Sequence, residues 1–181
     1  MNKIDIFVIG DSYTGVSSLV DRFVYDEFDS RKNQTIGWEF RHKIDKINNI
    51  RYRLWSVSGI FCILSKKCID ECIEKYDFFL IVFDVSERNS LKKIEQYHNI
   101  YLSVASKKTK LYLIGNKCDK LREVTVEEGE DIANKLEAKY YEVSAKTNMN
   151  IYNLFEDIRI DYDTKTNSPK CSSWFSCCFS R

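Results

Sequence analysis

Residues 4–25 read IDIFVIGDSYTGVSSLVDRFVY, an apolar run followed by a polar loop and a second segment with spaced apolar residues. The apolar run stops at Gly10, which is typical of a buried strand that ends at a loop. Leu19, Val20 and Phe23 then recur at helical spacing, so the second segment is predicted to be an amphipathic helix. A strand, a glycine-containing loop and a helix in this order are the repeating unit of α/β folds.

The loop has the spacing of a phosphate-binding loop, because four residues separate Gly10 from Gly15 and a serine stands at position 17. Val16 replaces the lysine of that motif, and Tyr13 stands at a position that is usually small. Backbone N–H groups at a helix N-terminus can still hold a β-phosphate, but Val16 offers no cation to the phosphate oxygens. Considered alone, the loop also fits an ordinary strand-to-helix turn. The predicted phosphate-contacting positions are Gly10, Asp11, Ser12, Tyr13, Thr14, Gly15, Val16, Ser17 and Ser18.

Apolar runs and alternating patterns predict further elements along the rest of the chain. Strands are predicted over residues 38–46, 51–57, 78–84, 110–115 and 140–143. Three helices are predicted. The first covers residues 91–105, the second starts at a capping box formed by Thr125 and Glu128, and the third covers residues 151–158. This alternation predicts an α/β domain of about six mostly parallel strands, with helices on both faces and ligands at the carboxyl ends of the strands. We expect one domain over residues 1–162 and a flexible tail over residues 163–181.

A second motif, Asn116-Lys117-Cys118-Asp119, follows the predicted strand at 110–115 and has the pattern by which guanine is recognised. The Asp119 carboxylate can accept hydrogen bonds from N1–H and the 2-amino group of guanine, whereas adenine presents no matching donors. Lys117 is expected to pack its stem over the base, and Asn116 to tie this loop to the phosphate loop. A solvated turn explains a single match of this length, but a second loop in the right order favours guanine. That loop consists of Ser144, Ala145 and Lys146.

With these motifs in place, the sequence resembles a Rab-type member of the Ras superfamily of small GTPases, and the resemblance implies a P-loop G domain. The stretches that carry it are residues 10–12, 17–19, 22–23, 35–40, 55, 83–85, 116–119, 144–146 and 127–130. It implies binding of GTP or GDP with Mg²⁺ and a role in vesicle and protein transport. It also implies that Phe28 stacks on guanine and that Ser17 and Thr35 give hydroxyl ligands to Mg²⁺.

The second switch of that family normally reads Trp-Asp-Thr-Ala-Gly-Gln-Glu, and residues 55–61 here read WSVSGIF. Ser56 lacks the carboxylate that anchors the Mg²⁺ shell, and Ile60 cannot orient the attacking water as glutamine does. Gly59 keeps an N–H that can reach a γ-phosphate. We assign no catalytic residue and expect GTP hydrolysis to be weak or absent. Loss of the lysine and aspartate contacts, at about 1.5–3 kcal/mol each, is expected to weaken phosphate binding by roughly two to four orders of magnitude.

Three features leave alternatives open at this stage. Lys32 or Arg31 is a hypothetical replacement for the missing lysine, although a solvated basic loop is the favoured interpretation of both. Intact guanine loops favour a nucleotide-binding switch over a pseudo-GTPase membrane scaffold that binds no nucleotide. Ser56 and Ile60 argue against a third interpretation, an enzyme that hydrolyses GTP normally.

The tail ends in Cys177-Cys178-Phe-Ser-Arg, which resembles the double-cysteine endings on which Rab proteins receive geranylgeranyl groups. Two lipids would hold the protein on the cytosolic face of endomembranes, as a cytoplasmic protein that is peripherally bound to the membrane. We expect a monomer whose partners include the prenylation and escort machinery. Effector proteins are expected at the two switches, around residues 36–40 and Trp55. The formal net charge of +1 gives no field that would attract nucleic acid, so no nucleic-acid partner is expected.

Overall fold

The computed structural model of the chain describes residues 1–31, 37–58 and 76–167. The strands are β1 (Asn2–Gly10), β2 (Trp38–Asp45), β3 (Ile50–Ser58), β4 (Phe78–Asp84), β5 (Lys110–Asn116) and β6 (Lys139–Glu142). The helices are α1 (Val16–Tyr25), α2 (Arg88–Lys92), α3 (Ile94–Val104), α4 (Val126–Lys135) and α5 (Ile151–Asn167). No helix among these is long and apolar enough to cross a membrane.

The six strands form one sheet in the order β2-β3-β1-β4-β5-β6. Within the described residues of this sheet, β2 and β3 form the one antiparallel pair of strands, and β1 pairs in parallel with both β3 and β4. All seven residues of β4 are buried, as expected for a strand covered on both faces. The predicted mostly parallel α/β sheet is confirmed.

Helices cover both faces of this sheet and create two cores. One face packs Leu19 of α1 and Phe155 of α5 against Ile6 and Leu80. The opposite face packs Tyr97 of α3 against Phe7 and Phe79, whose ring centroids lie 5.0 Å apart. Because alternate residues of each strand point to opposite faces, β1 and β4 supply both cores.

The register aligns the carboxyl ends of the parallel strands at one edge. Gly10 at the end of β1 pairs with Ser58 at the end of β3, and Asp84 at the end of β4 pairs with Asn116 at the end of β5. The loops that carry the sequence motifs therefore leave the sheet side by side, as expected for a parallel α/β fold.

Two predicted boundaries are wrong. The helix expected over residues 91–105 is split at Lys93 into α2 and α3, because Lys93 ends the first helix and caps the second. The last helix runs to Asn167 instead of ending before residue 163, since Arg159 pairs with Asp163 and the Lys165 ammonium lies 2.7 Å from an Asp77 oxygen. Residues 163–167, which the sequence assigned to the tail, therefore belong to α5.

Candidate functional site

A cavity of about 340 Å³ opens at the carboxyl ends of the strands. It brings together the following residues of the two predicted sets: Gly10, Asp11, Ser12, Tyr13, Gly15, Val16, Ser17, Ser18, Phe28, Asn116, Lys117, Asp119, Ala145 and Lys146. Thr14 and Ser144 are buried and do not line the cavity. Thr35, Gly59, Ile60, Lys32 and the terminal cysteines Cys177 and Cys178 lie outside the described residues.

The phosphate loop turns sharply between β1 and α1. Tyr13 and Gly15 both have positive φ, at 66° and 90°. The Thr14 hydroxyl donates to the Asp11 carbonyl at 2.8 Å and closes the loop on itself. Gly15 is followed directly by α1 and, because a glycine has no side chain, it makes no side-chain cap hydrogen bond to the start of the helix. This arrangement suits a phosphate group at a helix N-terminus.

The phosphate end of the cavity lacks the cation of the usual motif. Val16 is only 8% exposed and packs into the core between α1 and the sheet. Among the described residues, the cations in the cavity wall are Lys117, Lys120 and Lys146, all from the two base-recognition loops. The phosphate loop itself supplies backbone groups and hydroxyls.

The Asn116 side chain joins three loops. It is 1% exposed, its amide nitrogen donates to the Thr14 carbonyl at 2.9 Å, and its oxygen accepts from the Ala145 N–H at 3.2 Å. The expected tie between this motif and the phosphate loop is therefore present. Because every contact is buried, the loops are held at fixed distances from one another.

Asp119 is oriented by the second base loop. One of its carboxylate oxygens accepts from the Ser144 hydroxyl at 2.6 Å, and that hydroxyl in turn accepts from the Thr147 N–H at 3.1 Å. An ionised carboxylate has about four lone-pair positions, so Asp119 retains acceptor capacity toward the cavity. Arg22 of α1 fixes the same loop by donating to the Ala145 carbonyl at 2.8 Å.

Lys117 lies between the base loop and the phosphate loop. Its ammonium is 2.6 Å from an Asp84 oxygen and also donates to the Tyr13 carbonyl. Its charge is thus compensated by a carboxylate that is almost fully buried. Burial raises the pKa of the neighbouring Cys118 thiol, and the charges of Glu142 and Asp119 add to the increase, so this cysteine stays a protonated packing residue.

The donor set fits a guanine base better than it fits a complete magnesium site. Ser17, which is one of the two predicted hydroxyl ligands of Mg²⁺, lines the cavity. Ser56 is 1% exposed, its hydroxyl donates to the Glu39 carbonyl at 3.4 Å, and Val57 takes the wall position beside it. Mg²⁺ prefers carboxylate, phosphate and water oxygens in octahedral geometry. The described residues would offer such an ion the Ser17 hydroxyl and no carboxylate from β3.

Arg31 does not reach the cavity. Its side chain is 92% exposed and lies 3.7 Å from an Asp29 oxygen, which agrees with the solvated basic loop favoured from the sequence. Asp29 itself lines the cavity beside Phe28.

Several wall residues were not predicted from the sequence. Their positions are Asp29, Ser30, Val57 and Lys120. Asp29 and Ser30 directly follow Phe28, and Lys120 directly follows Asp119, so their positions in the sequence could have indicated a place in the wall. Val57 has no such neighbour among the predicted residues. Sequence reasoning also missed the pair formed by Lys93 and Asp11, whose charged atoms lie 2.6 Å apart. No local pattern marks that pair, since the two residues come from separate elements.

The fold and this cavity define a nucleotide-binding α/β domain of the P-loop type. Comparison with known proteins identifies the family of this domain, because the model of the Ras family matches residues 5–162. The chain belongs to the Ras family of small GTPases. It is also similar to the Ras-related protein SEC4 of Candida albicans strains WO-1 and SC5314, with 28% identity over 159 residues that cover 84% of this chain and 74% of the relative.

Proposed function

We propose that the chain is a Rab-type guanine-nucleotide-binding protein of intracellular vesicle transport that hydrolyses GTP weakly or not at all. The observation that carries the proposal is the contrast between the two ends of one cavity. At the base end, Asn116 is hydrogen-bonded to the phosphate loop and Asp119 to Ser144. At the phosphate end, Val16 and Ser56 replace the lysine and the aspartate of the family motifs. Membership of the Ras family, whose members bind GTP and GDP with Mg²⁺, supports the ligand.

Base selection follows from the orientation of Asp119. Its carboxylate accepts two hydrogen bonds from guanine, one from N1–H and one from the 2-amino group. Phe28, which is 36% exposed and lines the cavity, supplies a ring face for the base. The loop of residues 144–146 is proposed to donate a backbone N–H to guanine O6, and Lys146 is the candidate donor because the Ala145 N–H already donates to the Asn116 oxygen. A base without matching donors leaves Asp119 with the Ser144 hydrogen bond and none from the ligand, so such a base binds more weakly than guanine.

Weak hydrolysis follows from the missing charges. The phosphates would be bound by backbone N–H groups at the start of α1, by Ser17, and by the proposed contacts of Thr35 and Gly59. Neither Val16 nor Ser56 can stabilise the charge that develops on the phosphoryl oxygens. The replacement of the usual glutamine by Ile60 removes the group that would orient water.

A pseudo-GTPase scaffold is the second candidate, and the replacement of the phosphate-loop lysine by Val16 favours it. Val16 lines the cavity but offers a phosphate neither a charge nor a hydrogen bond, so the loop depends on backbone groups and hydroxyls for its affinity for a triphosphate. Extraction of nucleotide from the purified protein distinguishes the two candidates. The GTP-binding protein is expected to contain guanine nucleotide, and the scaffold is expected to contain none.

Membrane attachment and partner binding complete the proposal. We propose geranylgeranylation of Cys177 and Cys178 by prenylation and escort machinery, and residence of the monomer on the cytosolic face of endomembranes. Effectors are proposed to bind the two switches, where Phe40 is 43% exposed and its ring centroid lies 4.5 Å from that of Trp55. In cells, replacement of both cysteines by serine is expected to move the protein into the soluble fraction, and unchanged membrane association would contradict the lipid anchor.

The base assignment is tested by exchanging the donor pattern at residue 119. In Asp119→Asn, the side-chain amide can donate to the C2 carbonyl of xanthine, so the preference is expected to change from guanosine diphosphate to xanthosine diphosphate. The measurement is competition binding with both nucleotides. Asp131→Asn, an exposed change on α4, is the matched control. Equal affinities of Asp119→Asn and the control for guanosine diphosphate would refute the proposed base contact.

A further inference from the structure

Asp11 is a carboxylate in the loop that would hold the phosphates. It follows Gly10, lines the cavity, and has a side chain that is only 16% exposed. Its carbonyl is fixed by the Thr14 hydroxyl at 2.8 Å, so the residue cannot swing away without breaking the loop. A negative charge held here opposes the negative charge of a bound phosphate chain.

Lys93 compensates this charge from a different part of the fold. Its ammonium lies 2.6 Å from one Asp11 oxygen, and the Tyr97 hydroxyl lies 3.4 Å from the other. Lys93 stands at the break between α2 and α3, at the N-cap position of α3, where its side chain makes no cap hydrogen bond and its ammonium reaches Asp11 of the phosphate loop. The break that the sequence did not predict is thus the feature that positions this lysine.

Compensation at Asp11 matters more in this chain than in a phosphate loop with its own lysine. The loop carries Val16, and the cations of the cavity wall within the described residues belong to the two base loops. Without Lys93, the Asp11 carboxylate would lose the ammonium that lies 2.6 Å from it, since Lys117 pairs with Asp84. The ion pair leaves the loop close to neutral, so that its backbone N–H groups can donate to phosphate oxygens.

We infer that Lys93 is a positioning residue that acts through Asp11 and sets the affinity of the cavity for nucleotides according to their phosphate charge. This inference rests on the proposed guanine-nucleotide function of the same cavity. Removal of the Lys93 charge is expected to weaken the binding of GTP most, of GDP less and of GMP least. The reason is that repulsion between Asp11 and the ligand increases with each added phosphate charge.

The test compares Lys93→Met with Lys92→Met in the full chain by calorimetric titration with GMP, GDP and GTP. Lys92 is the neighbouring exposed lysine, and its ammonium lies 3.2 Å from the Asn89 side-chain oxygen. We expect Lys93→Met to weaken GDP about tenfold, GTP more and GMP less, and Lys92→Met to bind as the wild type does. Adding Asp11→Asn to Lys93→Met removes the unpaired carboxylate and is expected to restore GDP affinity to within about threefold of wild type.

The rescue separates charge from stability, since the double variant lacks the ion pair and still regains affinity. Equal affinities of Lys93→Met and Lys92→Met would overturn the inference, as would an equal loss for all three nucleotides or a double variant as weak as the single one. Failure of wild-type protein to bind any guanine nucleotide would overturn the proposed function and this inference together. Binding by wild type without the charge-ordered loss would overturn the inference alone.

Discussion

At the scale of single residues, Asn116 has the largest share in holding the site together. One buried amide contacts both the phosphate loop and the second base loop, at 2.9 Å and 3.2 Å. Gly15 makes this contact possible, because a Cβ at that position would lie 2.5 Å from the Asn116 amide nitrogen. Gly15 also has a φ of 90°, a conformation that costs other residues free energy.

Gly15→Ala is expected to destabilise the protein more than Gly37→Ala. Both glycines have positive φ, at 90° and 93°. An alanine at either position has to adopt the left-handed conformation, which costs about 1 kcal/mol of folding free energy. Among the described residues, no atom lies within 4 Å of a Cβ at Gly37, whereas Gly15→Ala also displaces the Asn116 amide. We expect a further loss of about 1–3 kcal/mol in the free energy of unfolding, measured with urea. Equal losses for the two variants would show that the Asn116 contact is not rigid.

Single residues also show how far sequence reasoning extends. The guanine motif predicted the role of Asn116 because its residues are contiguous and follow a recognisable strand. The Asp11–Lys93 pair joins residues 82 positions apart, and neither belongs to a motif that names the other. Contacts of this kind depend on how helices are placed over the sheet, which local patterns do not specify.

At the scale of elements, helix α4 begins as its sequence predicts. The Thr125 side chain accepts from the Glu128 N–H at 3.2 Å, and the Glu128 carboxylate accepts from the Thr125 N–H at 2.9 Å. The same carboxylate pairs with Arg88 of α2 at 2.8 Å. The capping box therefore also attaches α4 to the helix that precedes Lys93.

Thr125→Ala is expected to lower the free energy of unfolding by about 1 kcal/mol, because the first turn of α4 loses its hydrogen-bond acceptor. Thermal or urea unfolding measures the change. Thr166→Ala, near the exposed end of α5, is the control and is expected to change stability by less than about 0.5 kcal/mol. A Thr125 variant as stable as the control would show that the cap is dispensable.

Helix α5 is held to the sheet by a partly buried charge cluster. The Asp161 carboxylate accepts from the Tyr112 hydroxyl at 2.8 Å and lies 3.0 Å from the ammonium groups of Lys110 and Lys139. Burial raises the pKa of Asp161, but the hydrogen bonds from Lys110, Tyr112 and Lys139 outweigh burial, so its pKa is lowered overall. A carboxyl with a lowered folded-state pKa stabilises the fold only while it is ionised.

Acid is therefore expected to weaken the attachment of α5. The contribution of Asp161 is complete above its unfolded pKa of about 3.9 and disappears as the pH falls through the lower folded-state pKa. Urea unfolding between pH 2 and pH 7 should show a steeper acid loss for wild type than for Asp161→Asn. Asp131→Asn should retain the wild-type slope. Parallel curves for wild type and Asp161→Asn would contradict the role of this carboxylate.

Elements differ in how well their bounds follow from sequence. Buried apolar runs such as β4 were predicted to the residue, because a strand covered on both faces admits few polar positions. The break at Lys93 was missed, since Leu91 and Ile94 continue an apolar pattern across it. The end of α5 was placed too early because its last turns are held by Lys165 contacting Asp77 from a distant strand end.

At the scale of the whole molecule, the sheet order explains why the motifs meet. Parallel pairing of β1, β4, β5 and β6 places the phosphate loop and both base loops at one edge. Alternation of strands and helices was enough to predict this arrangement. It was not enough to predict which side chains fill the wall between the motifs, where Val57 and Lys120 stand.

The proposed contrast between a functional base end and an impaired phosphate end has a consequence for the whole protein. A switch protein cycles by hydrolysing the γ-phosphate that holds its loops. With Val16 and Ser56 at the phosphate end, we expect exchange of nucleotide, and not hydrolysis, to control the lifetime of each state. Val16→Lys, Ser56→Asp and Ile60→Gln introduced together are expected to raise turnover, and an unchanged rate in a folded triple variant would contradict these assignments.

The most direct measurement follows GTP bound to the purified protein with Mg²⁺ under single-turnover conditions, with bound nucleotide separated and identified at each time. We predict that guanine nucleotide is bound and that GTP persists, with a conversion rate well below the order of 10⁻⁴ s⁻¹ typical of unassisted small GTPases. Conversion at or above that rate would contradict the claim that the phosphate end is impaired. Recovery of no guanine nucleotide would contradict the claim that the base end is functional.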